Sequence, residues 1–73
     1  MAAKKQARSL REARKAARMT LEQVAQRTGL TRQAVSFWET GVNVPRGSAR
    51  ILLAMIFEVD STVVDSWFEK RAA

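Results

Sequence analysis

The side chains in this sequence that could act on a partner are hydrogen-bonding rather than reactive. Histidine and cysteine are both absent, which removes the commonest general base, the thiol nucleophile and the usual zinc ligands. Asp, Glu and Ser are scattered over short segments with no nucleophile set beside a base, so an enzyme is not expected, and neither is a metal or a cofactor. What remains is a cluster just after Thr31: Arg32, Gln33 and Ser36, with Phe37 beside them. Arg suits the O6 and N7 of guanine, Gln suits the N6 and N7 of adenine, and Ser can bond a base or a phosphate.

Those side chains act together only if a rigid helix presents them, and the flanking sequence predicts one. In TLEQVAQRTGLTRQAVSFWETG, residues 20–41, Leu21, Val24, Ala25 and Thr28 recur at i, i+3, i+4 and i+7, one stripe of a helix. Gly29 breaks the stripe where a helix takes a left-handed C-terminal residue. Thr31 can then cap a further helix from about Arg32 to Thr40, with Val35 and Trp38 facing inward and Gly41 as its stop. Thr20 with Gln23 three residues on fits the capping-box pattern, which starts the earlier helix. Two short helices joined around a glycine make a helix-turn-helix, and a second helix of this kind can enter the DNA major groove.

Charge is distributed in keeping with that unit. The 73 residues carry a net +6. Through Arg50 there are 11 Lys and Arg against Glu12, Glu22 and Glu39, a balance of +8; beyond it Lys70 and Arg71 face Glu58, Asp60, Asp65 and Glu69, a balance of −2. A basic half carrying the two-helix unit and a slightly acidic, apolar half imply a polyanion-binding face and a separate packing or pairing face. A single domain over residues 1–73 is expected, with residues 1–5 as a disordered basic leader. A chain this small buries only ~60% of the surface that its unfolded form exposes. Disulfides cannot compensate, so tight helix packing and self-association are expected to supply the rest.

No run of 18 apolar residues exists to span a membrane, and the basic N-terminus lacks the apolar core of a secretory signal. A cytoplasmic location is therefore expected. A membrane-surface helix over residues 4–18 is disfavoured because its apolar side is mostly alanine.

The remaining elements follow from periodicity and breakers. A first helix is expected from about Gln6 to Arg18, where strong helix formers place Ala7, Leu10, Ala13 and Ala17 on a thin apolar stripe. After Gly41, Pro45 holds Val44 extended, and Ser48 is the expected cap of a fourth helix that contains ILLAMIF and runs to about Phe57. A strand fits such an apolar run by periodicity alone, but Leu, Ala and Met favour helix and no partner strand is visible. Asp60 or Ser61 is expected to cap a fifth helix reaching about Lys70, along which Val63, Val64, Trp67 and Phe68 line up.

With five short helices in this order, LREARKAARMTLEQVAQRTGLTRQAVSFWETG resembles the lambda-repressor-like, Cro and xenobiotic-response-element type of helix-turn-helix regulator. The likeness rests on Leu10 and Arg14, Thr20 and Ala25, Gly29, Val35 and Ser36, and the Trp38-Glu39-x-Gly41 ending, and it extends through Val44-Pro45 to about Trp67. It implies an all-α, five-helix DNA-binding domain encoded by a bacterium or phage. It also implies Arg32, Gln33, Ser36 and Phe37 as the base-reading set. Phe37 departs from the polar residue more common there; it can touch a thymine methyl or fold back toward Trp38. In the resembled family an Arg of the first helix pairs with the Glu ending the third, which here implies a largely buried ion pair between Arg14 and Glu39. Phosphate contacts are expected from Arg18, Thr31, Asn43 and Arg46. Leu21 stands where many members carry a phosphate-touching Gln, so that one contact is not expected here.

One module of this size covers few base pairs, so a homodimer on a palindromic operator is expected, with half-sites ~34 Å apart. The candidate dimer interface is Val63, Val64, Trp67 and Phe68, flanked by Met55 and Ile56, with Trp67 mainly in the core and Val64 and Phe68 nearer the partner. The same stripe could instead close the fifth helix over the core. A transcriptional repressor acting on double-stranded DNA is the leading expectation. The alternatives are the antitoxin of a toxin–antitoxin pair, which the run PRGSARILL resembles, and an architectural or excision-type factor that shapes DNA.

Overall fold

Hydrogen-bonding side chains mark the starts of four of the five helices described. The computed structural model describes residues 7–69, over which the chain forms five α-helices: α1 Leu10–Ala16, α2 Leu21–Thr28, α3 Arg32–Thr40, α4 Ser48–Phe57 and α5 Ser61–Phe68. No strand occurs among the described residues, and ILLAMIF is helical. The leader expected over residues 1–5 lies outside the described residues; the fifth helix, expected to reach about Lys70, ends at Phe68, with Glu69 already extended.

The first helix is shorter than its composition predicts. Ser9 takes extended backbone angles, and its hydroxyl accepts the Glu12 amide at 3.1 Å, so the helix starts at Leu10 rather than near Gln6. The Glu12 carboxylate reaches back to accept the Arg8 amide at 2.8 Å. A hydroxyl that can serve the free amides of a helix end favours the end over the interior. At the other terminus the helix stops before Arg18, which sits in the left-handed region at φ 58°. The amides of Arg18 and Met19 close onto the carbonyls of Lys15 and Arg14, the double closure that more often centres on glycine.

The last two helices depart from expectation at their junctions. Ser48 is the first residue of α4, not its cap; the cap position is Gly47, at φ 52° and ψ −123°, with no side-chain hydrogen bond. That backbone region is open essentially to glycine alone. Helix α4 ends on Glu58, again left-handed at φ 56°. Asp60 caps α5 by accepting the Thr62 amide and hydroxyl, both at 3.0 Å.

The core gathers Leu10, Val24, Ala25, Val35, Trp38, Leu53, Ala54 and Val64. Helix α2 packs on α3 and α4, α1 supports α3, and α5 lies along α4. Of the apolar run in α4, Leu53 and Ala54 are buried while Ile51 and Met55, one turn apart, are exposed. Val64 is 0% exposed, which corrects its assignment to a partner surface. A side chain wholly enclosed by its own chain has no area left to offer a second one. Trp67 is half-buried; its indole N–H donates to the Ala7 carbonyl at 3.0 Å, and its ring meets Phe57 and Phe68 edge-on.

Candidate nucleic-acid interface

The presentation of the α3 surface starts from one glycine and two threonines. Thr20 and Gln23 form a full capping box, with the Gln23 carboxamide oxygen accepting the Thr20 amide at 2.8 Å and the Thr20 hydroxyl accepting the Gln23 amide at 3.1 Å. Gly29 closes α2 at φ 77°, and the Leu30 amide reaches back to the Ala25 carbonyl at 3.0 Å. Two residues on, the Thr31 hydroxyl accepts the Ala34 amide at 3.1 Å and opens α3. The turn is thus fixed by local hydrogen bonds before any tertiary contact is counted.

Helix α3 is amphipathic in the sense a groove-reading helix requires. Val35 and Trp38 are buried against the core, whereas Arg32 and Gln33 are exposed in the first turn and Ser36 is half-buried along the same side. Phe37 is half-buried and is not among the residues packed on the core, so its ring borders the outer surface. Net polarity at the start of the helix and apolar anchoring behind it leave base-bonding groups in solvent on a rigid support.

The far end of α3 is held by charge. Arg14 Nε donates to Glu39 Oε2 at 2.6 Å and Nη2 donates to Oε1 at 3.2 Å, a fork-on-fork pair. The two side chains are 14% and 8% exposed. Arg14 Nη1 also donates to the Met19 carbonyl at 3.1 Å, so one guanidinium joins α1, the turn after it and the end of α3. The hydrogen bond to Glu39 raises the pKa of Arg14, against the opposing effect of burial and with the attraction of the same carboxylate, so the guanidinium stays charged. Bidentate geometry of this kind fixes direction as well as distance.

The four residues expected at phosphates fall into separate places. Asn43 and Arg46 are exposed and line one concave surface with Leu30 and Ala34, against the flank of α3. Thr31 is exposed at the start of α3, its hydroxyl already accepting the cap bond. Arg18 lies elsewhere, bordering a hollow with Gln23, Gln26 and Arg27 between the α1–α2 turn and the outer side of α2. Leu21 is half-buried and packs on the core. The charge pattern along the chain did not single out Gln26 and Arg27, since their placement beside Arg18 depends on the left-handed turn there.

A capped helix-turn-helix with an exposed polar first turn, set in a five-helix core and flanked by basic loops, defines a DNA-binding domain. A profile of the helix-turn-helix family matches residues 10–64, and the chain belongs to that lambda-repressor-like family of DNA-binding transcription regulators. No curated protein and no solved structure matches the chain. Among the described residues no helix is long and apolar enough to cross a membrane.

Proposed function

We propose that this chain is a sequence-specific transcriptional repressor that binds a palindromic operator as a homodimer, with α3 in the major groove. The observation that carries the reading is the pairing of opposite faces on α3. Arg32 and Gln33 stand in solvent at its Thr31-capped start, while Val35, Trp38 and the Arg14–Glu39 fork hold it from behind. Ser36 and Phe37 extend the base-reading set, Phe37 toward a thymine methyl. Thr31, Asn43 and Arg46 hold the flanking backbone, and Arg18 approaches phosphate from the α1–α2 side. Such contacts carry no sequence information but set register, and six to ten of them make affinity fall ~10³–10⁵-fold between 50 and 200 mM salt.

For the homodimer, the exposed Ile51 and Met55 of α4 now join Val63 and Phe68, whereas Val64 and most of Trp67 serve the core. The exposed α4 residues equally suit a protein partner, so the antitoxin reading predicts a second small protein on this face. Selection of bound duplexes from a random pool, with footprinting of the winner, tests the proposal. A palindrome with half-sites one helical turn apart is expected. Recovery of no shared motif would contradict sequence-specific reading, and an asymmetric single site would contradict the dimer.

A further inference from the structure

The loop between α3 and α4 carries Asn43 and Arg46, yet little in its own sequence holds it. Val42 and Val44 are exposed, and α4 begins at Gly47 without a side-chain cap. Its first residues close onto α3, the amides of Val42 and Asn43 donating to the Phe37 carbonyl at 2.9 and 3.3 Å, and the one side chain that the loop buries fully is that of Pro45. The carbonyl of that residue, one peptide from Arg46, accepts Arg50 Nε at 2.9 Å. The same guanidinium donates through Nη1 to Asp65 Oδ1 at 3.0 Å and lies over the ring of Phe68, 5.6 Å from its centre. Arg50 therefore joins the peptide that carries Arg46 to two residues of α5.

We propose that Arg50 is a positioning residue for the phosphate contact of Arg46, holding the α3–α4 loop against α5 through its forked guanidinium. The proposal rests on the DNA-binding reading above. Three features of Arg50 are used at once: two separately directed N–H donors, a planar face over an aromatic ring, and a fixed charge. Lysine keeps the charge but offers a single ammonium, which cannot serve the Pro45 carbonyl and Asp65 while lying flat on Phe68. The conservative variant thus separates positioning from direct attraction to DNA.

Binding of mixed-sequence duplex DNA is measured across a salt series for the parent chain, Arg46→Ala, Arg50→Lys and the double variant, with melting temperatures recorded in parallel. Arg50→Lys is expected to weaken binding about tenfold and to make the negative slope of log K against log salt shallower by about one, as Arg46→Ala does. The double variant is expected to lose little more than either single one, since both changes remove the same contact. An Arg50→Lys chain that keeps the parent slope overturns the proposal, whatever its melting temperature. Additive losses in the double variant overturn it too, because they make the two arginines independent. If Arg50→Lys melts below the assay temperature, Asp65→Asn, an exposed position, carries the same comparison with an expected two- to threefold loss. A parent chain that binds no duplex at low salt fails the DNA-binding reading itself, an outcome distinct from an Arg50 variant that behaves like the parent.

Discussion

The α2–α3 unit and the α4–α5 unit are of similar size but are held together by different means. In the first, each start is a threonine whose hydroxyl takes a backbone amide, and each end is a left-handed glycine. In the second, α4 starts on an uncapped Gly47 and stops on a left-handed Glu58, and only Asp60 provides a side-chain cap. The ion pairs differ in the same direction. Arg14–Glu39 is bidentate and mostly shielded, whereas Arg50–Asp65 has a single contact at 3.0 Å with side chains 29% and 54% exposed. Local hydrogen bonding fixes the surface proposed to face DNA, and apolar packing across elements fixes the other half. A surface that must present donors at set positions gains from the first kind of support; a packing face needs only shape and area.

Substitutions that strike each unit break or sharpen this contrast. The largest expected effect is from Trp38→Ala, which empties the space behind α3 and should cost ~3–5 kcal/mol in chemical denaturation. Next, Glu39→Gln leaves Arg14 shielded and incompletely paired, with an expected loss of roughly 2–3 kcal/mol. Asp65→Asn should cost less than about 0.5 kcal/mol, since an exposed pair is screened by solvent. Equal losses at the two sites would erase the distinction between the halves. Glu58→Gly is expected to stabilise the chain by about 1 kcal/mol, because glycine adopts the left-handed angle without steric cost. A drop in melting temperature on that change would mean that the Glu58 side chain has a role that its backbone angle does not reveal.

The smallest effect is one of pH. Hydrogen bonds from the Thr62 amide and hydroxyl lower the pKa of the Asp60 carboxyl below its ordinary value. A depressed carboxylate stabilises the folded chain above its unfolded pKa and loses that contribution as pH falls through the folded one. The melting temperatures of the parent and Asp60→Asn should therefore converge in acid below about pH 4. A gap that widens there would have the wrong sign.

Much of the fold was legible in the sequence because the signals were local. Thr20, Gln23, Gly29, Thr31 and Gly41 each act within four residues, and each occupies the position its chemistry predicts. Ser9 was readable by the same rule but was masked by the run of helix formers around it. Arg18 and Glu58 carried no such signal: a charged residue in a left-handed turn looks like any surface charge until packing holds it there. Ser48 misled because serine is a common cap, whereas the preceding Gly47 takes a conformation that puts the cap position one residue earlier. Val64 misled because a four-residue apolar stripe does not say which of its members points inward. The tether from Arg50 to Pro45 and Asp65 spans five and fifteen residues, and no pattern along the chain announces it.

The most direct test of base reading by α3 compares two variants on the operator recovered by selection. Binding of Gln33→Ala and Arg46→Ala is measured at one salt concentration across all single-base changes of that operator. Loss of ~1–3 kcal/mol of discrimination at one base pair per half-site is expected for Gln33→Ala, with a uniform weakening for Arg46→Ala. Uniform weakening by both, with every base preference intact, would contradict reading by the exposed face of α3.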